Sequence, residues 1–273
     1  MINLHNLLET AIKASIIAGE KILSVYNSNF YDVKFKSDNS PLTIADSEAN
    51  KIITRLLKKT NLPILTEENK ITPYEIRQHW EYYWLVDPLD GTKEFIKKNG
   101  EFTVNIALIN KNIPVIGVIY VPVTDVLYFS TIASGAYKIN DAKKYNNSAN
   151  QIDELINNST KLPINAKDRK FTIIGSRSHA NINTSEFMSK LKEKYGDIEI
   201  ISKGSSLKFC MMAEGLADFY PRYAPTMEWD TAAGQAIASA AGCAVTKIDG
   251  VTPLEYNKTD LLNPWFIVKS SNI

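Results

Sequence analysis

The most informative stretch of the chain is W-L-V-D-P-L-D-G-T, residues 84–92. An apolar run typical of a buried strand leads into two carboxylates, Asp87 and Asp90, with a proline between them. Because Pro88 fixes its own φ and has no N–H to donate, we expect the strand to end there and the chain to turn. Both carboxylates would then converge on one point, with the Leu89 carbonyl oxygen available as a hard ligand. The alternative is an ordinary turn built from Asp-Pro and Asp-Gly.

Gly91 and Thr92 follow the acidic pair and are expected to open a helix. The N–H groups in the first turn of a helix have no partner within it, and they attract anions. The sequence therefore predicts a phosphate site beside the carboxylates.

Three more acidic segments are candidates for the same site. Glu67, followed by Glu68, ends a short apolar strand, although adjacent acids are also typical of a solvated corner. Asp230 is expected in the first turn of an Ala-rich helix, where a favourable interaction with the helix dipole is the alternative explanation. Asp46 follows Thr43 at the spacing of a capping box.

Together these segments supply oxygen ligands, which Mg²⁺ prefers. Zinc is disfavoured because the residues that would bind it do not cluster. The three histidines are scattered and neither cysteine has a partner at ligand spacing: His5, His79, His179, Cys210 and Cys243. Both cysteines lie in small-apolar surroundings and are predicted to be buried free thiols.

Apolar periodicity predicts layered α/β architecture. Helices are expected over residues 4–26, 43–59, 184–195, 206–216 and 229–241. Short strands are expected over 63–66 and 83–86. Four further strands, over 102–109, 115–121, 126–130 and 135–139, suggest an antiparallel sheet, and others are expected over 171–175, 198–202, 218–220, 244–248 and 265–268. The polar, Asn-rich segment 143–165 is predicted to be an exposed loop or a seam between halves. We expect one compact catalytic unit with an N-terminal α+β half, 1–150, and a C-terminal α/β half, 151–273.

Composition excludes several classes of protein. The chain of 273 residues carries 31 basic and 30 acidic residues, so it is not a broadly basic nucleic-acid binder. Its 44% apolar content is too high for a disordered protein. The N-terminal stretch lacks the basic start of a signal peptide, and no apolar run is long enough to span a membrane. A cytoplasmic protein is expected.

The motifs resemble those of the inositol monophosphatase superfamily of Mg²⁺-dependent, lithium-sensitive phosphatases. Residues 87–92 match its D-P-[IL]-D-G-T signature, Glu67-Glu68 lies upstream at a typical spacing, and residues 229–234 match its W-D-x-A-A-G signature. Further runs resemble the branch of CysQ-type 3'(2'),5'-bisphosphate nucleotidases: G-S-R-S-H at 175–179, G-S-S-L-K-F-C at 204–210, A-E-G-L-A-D at 213–218 and Y-P-R at 220–222.

The resemblance implies a five-layer αβαβα sandwich of the sugar-phosphatase type. It implies hydrolysis of 3'-phosphoadenosine 5'-phosphate to AMP and phosphate by a metal-activated water, and leaves action on 3'-phosphoadenylyl sulfate open. An inositol- or sugar-phosphate phosphatase with the same metal core is the alternative. A catalytically inactive nucleotide-binding regulator is a third hypothesis, which the complete acidic set disfavours.

The resemblance also implies residue roles. One Mg²⁺ would be held by Glu67, Asp87 and the Leu89 carbonyl, and a second by Asp87, Asp90 and Asp230, with a third, more loosely held ion in parts of the family. Asp46 and Thr92 match the pair that orients and deprotonates the attacking water. The positions expected to contact substrate are Glu67, Leu89, Asp90, Gly91, Thr92, Ser205, Lys208, Arg222 and Asp230.

The substrate-binding residues outside the metal motifs each have a second interpretation. Arg177 and Arg222 would contact the second phosphate or form structural ion pairs. Ser205 and Ser206 would bind phosphate or cap a helix. Lys208 would bind substrate or lie on the solvated surface, and His179 would be a loop residue.

A small-molecule nucleotide is the expected partner, and a nucleic acid is not. The chain is expected to be a monomer or a homodimer. Peripheral association with the inner face of the cell membrane is left open by the resemblance, but no amphipathic anchor or basic cluster in the sequence supports it.

Overall fold

Long amphipathic helices form where apolar periodicity predicts them. The computed structural model describes residues 2–28, 33–35, 41–146, 152–164, 169–175, 182–271 and 273. Its α-helices are α1 Leu4–Asn27, α2 Ile44–Leu57, α3 Tyr74–Arg77, α4 Thr92–Ile96, α5 Ile152–Asn157, α6 Ile182–Tyr195, α7 Leu207–Glu214 and α8 Glu228–Ala240, with 3₁₀ turns at Lys58–Thr60 and Ala142–Tyr145.

The strands form two large sheets and a small hairpin. They are β1 Val33–Phe35, β2 Pro41–Thr43, β3 Ile64–Thr66, β4 Tyr82–Asp90, β5 Thr103–Asn110, β6 Ile113–Val121, β7 Val126–Thr131, β8 Gly135–Asn140, β9 Thr160–Lys161, β10 Phe171–Gly175, β11 Ile198–Ser202, β12 Phe219–Arg222, β13 Ala244–Lys247 and β14 Phe266–Lys269. One sheet runs β3-β4-β5-β6-β7-β8-β9 and the other β11-β10-β12-β14-β13. Strands β5 to β8 pair antiparallel as predicted. Strand β4 also lies antiparallel to β5, whereas β3 lies parallel to β4.

Four hydrophobic clusters separate five layers. Helices α1 and α2 pack on one face of the seven-stranded sheet, and α7 and α8 pack on its other face. The same two helices cover the five-stranded sheet, whose far side carries α6. The expected αβαβα sandwich is confirmed.

Strand β4 shows why its sequence is a continuous apolar run. Trp84 and Val86 point into the cluster with α1 and α2, whereas Tyr83 and Leu85 point into the cluster with α7 and α8. A strand covered on both faces has no polar face, so alternation disappears.

Small residues allow α8 to lie close to its neighbours. A Cβ on Gly234 would overlap the ring of Phe209 on α7, and a Cβ on Gly117 of β6 would overlap the Ala233 carbonyl. Helix α8 is therefore closely packed against α7 on one side and against β6 of the seven-stranded sheet on the other. Cys210 and Cys243 are buried free thiols, as predicted.

The polar segment 143–165 is more ordered than its composition predicts. Within its described part lie a 3₁₀ turn, α5 and β9, and the interpretation as a mere exposed loop is wrong there. Four of its apolar side chains are buried: Tyr145, Ile152, Leu155 and Leu162. Strand β9 pairs with β8, so the first sheet continues to Lys161. The division of the chain at residue 150 stays a prediction.

No helix among the described residues is long and apolar enough to cross a membrane.

Candidate active site

Strand β4 does not end at Pro88. It continues to Asp90 through a β-bulge, in which Asp87 faces Asn105 and Asp90 faces Thr103 on β5. The two aspartates are three positions apart along β4, but their partners on β5 are only two positions apart. The extra residue in β4 therefore restores both carboxylates to the same face. Pro88 fits because a bulge interrupts the hydrogen-bond ladder. The expectation that the strand ends and the chain turns at Pro88 is wrong, although the two acids do share a face.

Three carboxylates from different elements meet at this face. Glu67 follows β3, and its N–H donates to the Val86 carbonyl, which sets it beside Asp87. Asp230 lies in the first turn of α8, where its Oδ2 accepts the Met227 N–H at 2.8 Å. One oxygen from each of Glu67, Asp87 and Asp230 lies within 4.8 Å of the others. We call these three residues the carboxylate cluster.

The carboxylate cluster fits a hard cation. Its donors are oxygens, and Asp87 is only 2% exposed, so water does little to screen the mutual repulsion. Leu89, also buried, adds a carbonyl oxygen to which the Thr92 hydroxyl makes only a long contact of 3.4 Å. The donor set therefore matches magnesium chemistry, and the individual ligand assignments stay predictions.

Asp90 lies beside the cluster in a different environment. Its carboxylate accepts the Ser206 N–H and, at 3.4 Å, an Asn105 Nδ2–H, and it attracts the Lys208 ammonium. These contacts link a predicted metal ligand to the start of α7.

Burial and mutual repulsion perturb the acids strongly. Burial raises the pKa of Asp87 well above its usual range, with added repulsion from Glu67, Asp90 and Asp230. Burial, followed by repulsion from Asp90 and Glu67, raises the pKa of Asp230 to about 8. Burial raises the pKa of Asp90 to about 6, against the opposing attraction of Lys208. Without a cation, the site therefore favours protonated acids.

A pH dependence of stability follows for the metal-free protein. An unfolded aspartate has a pKa of about 3.9, so between that value and the raised folded pKa values the native state binds more protons than the unfolded one. Stability must then fall as pH rises across this window. The melting temperature in EDTA is expected to be higher at pH 5 than at pH 8, and Mg²⁺ should raise it most at pH 8.

The behaviour of Lys208 and of one variant makes this prediction specific. Burial lowers the pKa of Lys208 to about 8. Deprotonation of this lysine therefore makes stability rise with pH only above about pH 8, outside the window in which the aspartates make it fall. In EDTA, Asp230→Asn should reduce the fall in melting temperature between pH 5 and pH 8. A melting temperature that rises from pH 5 to pH 8 without metal would contradict the prediction.

Asp46 combines a helix cap with a contact to the site. Its Oδ2 accepts from the Thr43 N–H at 2.8 Å and the Thr43 hydroxyl at 2.6 Å, which is the predicted capping box. Its Oδ1 accepts the Thr92 hydroxyl at 3.0 Å. The capping box and the Asp46–Thr92 pair therefore coexist, because each uses a different carboxylate oxygen.

A cavity opens beside Asp90 and Asp230. It lies between the start of α4, the loop 203–206 and strand β12, with Gly91 in its wall. Four basic side chains line it: Lys93, Lys203, Lys208 and Arg222. Carboxylates and basic side chains therefore line one cavity. Such a lining suits an anion that contacts the basic side chains directly and the carboxylates through a metal cation.

Lys208 is buried rather than on the solvated surface, so that alternative is wrong. Its Nζ donates to the Ser205 carbonyl at 2.6 Å and to the Lys203 carbonyl at 3.3 Å. These bonds hold the loop 203–205, in which Ser205 has a φ of 45°. The buried Ser205 hydroxyl has no hydrogen-bond partner among the described residues, whereas the Ser206 side chain bonds Asn105 instead of capping α7.

Arg222 is half-buried at the end of β12. Its Nη2 donates to the Pro225 carbonyl at 3.2 Å, and its buried Nε has no partner within the described ranges. Arg222 forms no ion pair in that part of the chain, and it lines the cavity. Arg177 and His179 lie outside the described residues.

Sequence reasoning missed Thr103 and Asn105. Both are buried polar residues in β5, two positions apart, on the face that carries Asp87 and Asp90. The signal was a T-x-N pair inside an otherwise apolar strand, where a buried polar group requires a partner.

The layered α/β sandwich and the carboxylates that its strands and α8 bring together are typical of a metal-dependent phosphatase. The chain belongs to the inositol monophosphatase family, whose model matches residues 3–271. The resemblance inferred from the motifs is thus confirmed. The chain is 44% identical over 256 residues to the 3'(2'),5'-bisphosphate nucleotidase CysQ of Escherichia coli strain K12, covering 92% of this chain and 94% of that protein. It is 41% identical to the protein of the same name from Salmonella typhimurium, covering 96% and 99% of the two chains.

A crystal structure shares the whole architecture. CysQ from Bacteroides thetaiotaomicron, described as a bacterial member of the inositol monophosphatase family, superimposes with a TM-score of 0.90 at 50% identity. The match covers 98% of this chain and 99% of that one.

Proposed function

We propose that this chain is a Mg²⁺-dependent phosphomonoesterase that hydrolyses 3'-phosphoadenosine 5'-phosphate to AMP and phosphate. The observation that carries the proposal is the carboxylate cluster beside a cavity whose wall includes Lys208 and Arg222. A substrate with two phosphates needs both features. The carboxylate cluster would serve the phosphate that reacts, and the basic side chains of the cavity wall would serve the second phosphate. The names of the relatives described above support the same substrate class.

The metal-binding groups are proposed in the arrangement that the family motifs suggest. Glu67, Asp87 and the Leu89 carbonyl would hold one ion, and Asp87, Asp90 and Asp230 a second. Bound Mg²⁺ supplies charge stabilisation at the phosphate oxygens and a lowered pKa for a water molecule. The chain's own contribution is to present these oxygens from β3, β4 and α8, which the packed layers hold in place. Titration calorimetry with Mg²⁺ counts the ions, and two are expected.

Asp46 and Thr92 would move the proton of the attacking water. The Thr92 hydroxyl donates to the Asp46 Oδ1, so its own lone pairs remain available to accept from a water molecule. As the water attacks phosphorus, its proton would pass to Thr92 Oγ1 and the Thr92 proton to Asp46. The bond between phosphorus and the ribose 3'-oxygen would break in the same step, and that oxygen would take a proton from solvent as AMP leaves.

The two phosphates would be bound by different groups. The backbone N–H groups of Gly91 and Thr92 would hold the reacting phosphate. Gly91 has a φ of 92°, and a Cβ there would lie 3.2 Å from both the Ser205 Cβ and the Glu101 carbonyl oxygen, so this part of the cavity wall requires glycine. Lys208, Arg222 and the Ser205 hydroxyl would hold the second phosphate.

The proposal is tested by measuring phosphate release across substrate classes, with and without Mg²⁺. The panel contains 3'-phosphoadenosine 5'-phosphate, 3'-phosphoadenylyl sulfate, adenosine 3'-monophosphate, inositol 1-phosphate and fructose 1,6-bisphosphate. The highest kcat/KM is expected for 3'-phosphoadenosine 5'-phosphate, with loss of activity in EDTA. A higher kcat/KM for inositol 1-phosphate would refute the substrate assignment, and no Mg²⁺-dependent hydrolysis would refute the enzyme assignment.

Arg222→Ala tests the second-phosphate contact. A charge-assisted hydrogen bond is worth about 1.5–3 kcal/mol, so KM for 3'-phosphoadenosine 5'-phosphate should rise about ten- to hundredfold. The kcat/KM for adenosine 3'-monophosphate, which lacks that phosphate, should change little. Arg55→Ala on the exposed side of α2 is the matched control and should leave both substrates unaffected. An equal loss on both substrates would contradict the assignment of Arg222 to the second phosphate.

A further inference from the structure

A buried group of three polar side chains joins the seven-stranded sheet to α7. Thr103 and Asn105 come from β5, and Ser206 precedes α7 about 100 positions later. Asn105 is 1% exposed, and Thr103 and Ser206 are equally enclosed. The Asn105 Oδ1 accepts the Ser206 hydroxyl at 2.8 Å and the Thr103 hydroxyl at 3.0 Å, and the two hydroxyl oxygens lie 2.8 Å apart.

The contacts fix which way the Asn105 amide points. Because its oxygen accepts from two hydroxyls, its Nδ2 is directed toward the Asp90 Oδ2 at 3.4 Å. The Ser206 N–H donates to the same carboxylate. Asp90 therefore accepts a hydrogen bond from the Ser206 N–H and a longer contact from Asn105, and these two residues also bond each other.

The far side of this group is the wall of the cavity. Ser206 directly follows the loop 203–205, whose carbonyls accept from Lys208. Gly204 is tied to the loop before β5 through its N–H, which donates to Glu101 at 2.9 Å. A shift of Ser206 relative to β5 would thus move the cationic wall relative to the acids.

We infer that Asn105 is a positioning residue that sets the distance between Asp90 and the start of α7, and so matches the metal site to the second-phosphate site. The nature of the two phosphates rests on the proposed function, whereas the link between Asp90 and α7 does not. Asparagine suits this place because it combines a donor for a carboxylate with an acceptor for two hydroxyls. Aspartate has the same size, but it would set one carboxylate against another.

The first test measures the metal without measuring activity. Removing an outer partner of a metal ligand commonly costs about 10- to 100-fold in affinity or activity. Calorimetric titration of Asn105→Ala with Mg²⁺ should show weaker binding in that range. Asn110→Ala, near the end of the same strand, is the control and should bind Mg²⁺ as the unmodified chain does. Unchanged Mg²⁺ affinity in Asn105→Ala would overturn the inference.

The second test uses selectivity. The ratio of kcat/KM for 3'-phosphoadenosine 5'-phosphate to that for adenosine 3'-monophosphate should fall at least about fivefold in Asn105→Ala. The reason is that the metal site and the second-phosphate site are no longer held at the distance that matches the two phosphates. A purely structural defect would lower both values together and leave the ratio unchanged, which would count against Asn105 as a positioning residue. If the unmodified chain shows no preference for the bisphosphate, the proposed function fails, and the Mg²⁺ titration still decides the role of Asn105.

A second variant guards against misfolding. In Asn105→Ala the Thr103 and Ser206 hydroxyls can still bond each other, so folding is expected. If that variant does not fold, Thr103→Val removes one hydroxyl at nearly constant volume and should shift Mg²⁺ affinity in the same direction, with Thr103→Ser shifting it less. Equal affinities in the valine and serine variants would overturn the inference.

Discussion

Asp87→Asn is expected to lower Mg²⁺-dependent phosphate release by about 1,000-fold or more. Asp87 is the member of the carboxylate cluster proposed to bridge both ions, so its loss affects both. Charge stabilisation by metal is worth several kcal/mol, and about 4 kcal/mol corresponds to a factor of 1,000. The measurement is kcat at saturating Mg²⁺ with 3'-phosphoadenosine 5'-phosphate.

The same substitution should stabilise the metal-free protein. Burial and three neighbouring carboxylates raise the pKa of Asp87, so its ionised form is unfavourable in the folded chain. Asparagine removes the charge and keeps an oxygen that can accept the Leu89 N–H, as Asp87 does at 3.0 Å. In EDTA at pH 8 the melting temperature of Asp87→Asn should exceed that of the unmodified chain, while Mg²⁺ should raise it much less.

A matched control separates this site from charge removal in general. Asp197→Asn removes a carboxylate that is 80% exposed and paired with Lys170, and it should change neither kcat nor the response to Mg²⁺. Full activity in Asp87→Asn would mean that the metal assignment is wrong. Lower stability in EDTA would mean that repulsion among the acids does not govern the metal-free site.

The sequence was sufficient for the elements with strong local signals. Helix α1 repeats apolar residues at helical spacing, and Thr43 with Asp46 marks the start of α2, so both were predicted closely. The apolar run of β4 was also recognised as a strand. These predictions succeeded because periodicity and capping depend on neighbours within a few residues.

The bulge at Pro88 illustrates what local reasoning cannot supply. Proline after Asp87 is compatible with a turn and with a bulge, and the choice depends on whether β5 continues to pair with the strand. That pairing is decided by the whole sheet and by the helices that cover it. Asp87 and Asp90 share a face through the bulge, not through the turn that was predicted, and their convergence on one point stays a prediction.

Lys208 and Asn105 show the same limit for single side chains. A lysine near a helix start is most often solvated, and Lys208 is buried because carbonyls of the preceding loop and Asp90 surround it. Asn105 acquires its partner Ser206 from a segment 101 positions away. Family motifs identified the acids, whereas the residues that orient them emerge only from the packing of β5 against α7.

Asp46→Asn is expected to lower kcat by about 100-fold or more while the chain remains folded. General acid–base catalysis contributes about 10²–10⁴ in rate. The asparagine oxygen can keep the two bonds from Thr43, which leaves the amide NH₂ facing Thr92. The Thr92 hydroxyl then accepts a hydrogen bond, where in the unmodified chain it donates to Asp46 at 3.0 Å. It can no longer pass a proton to residue 46.

Comparison with Asp46→Ala separates catalysis from helix capping. Alanine removes the capping box as well as the proton acceptor, and loss of a cap costs about 1 kcal/mol of stability. Both variants should therefore have a low kcat, but only Asp46→Ala should melt clearly below the unmodified chain. Asp153→Asn, an 84% exposed acid in the first turn of α5, is the control and should retain kcat. If Asp46→Asn kept more than half of kcat, Asp46 would be a capping residue alone, and another group would have to take the proton from the attacking water.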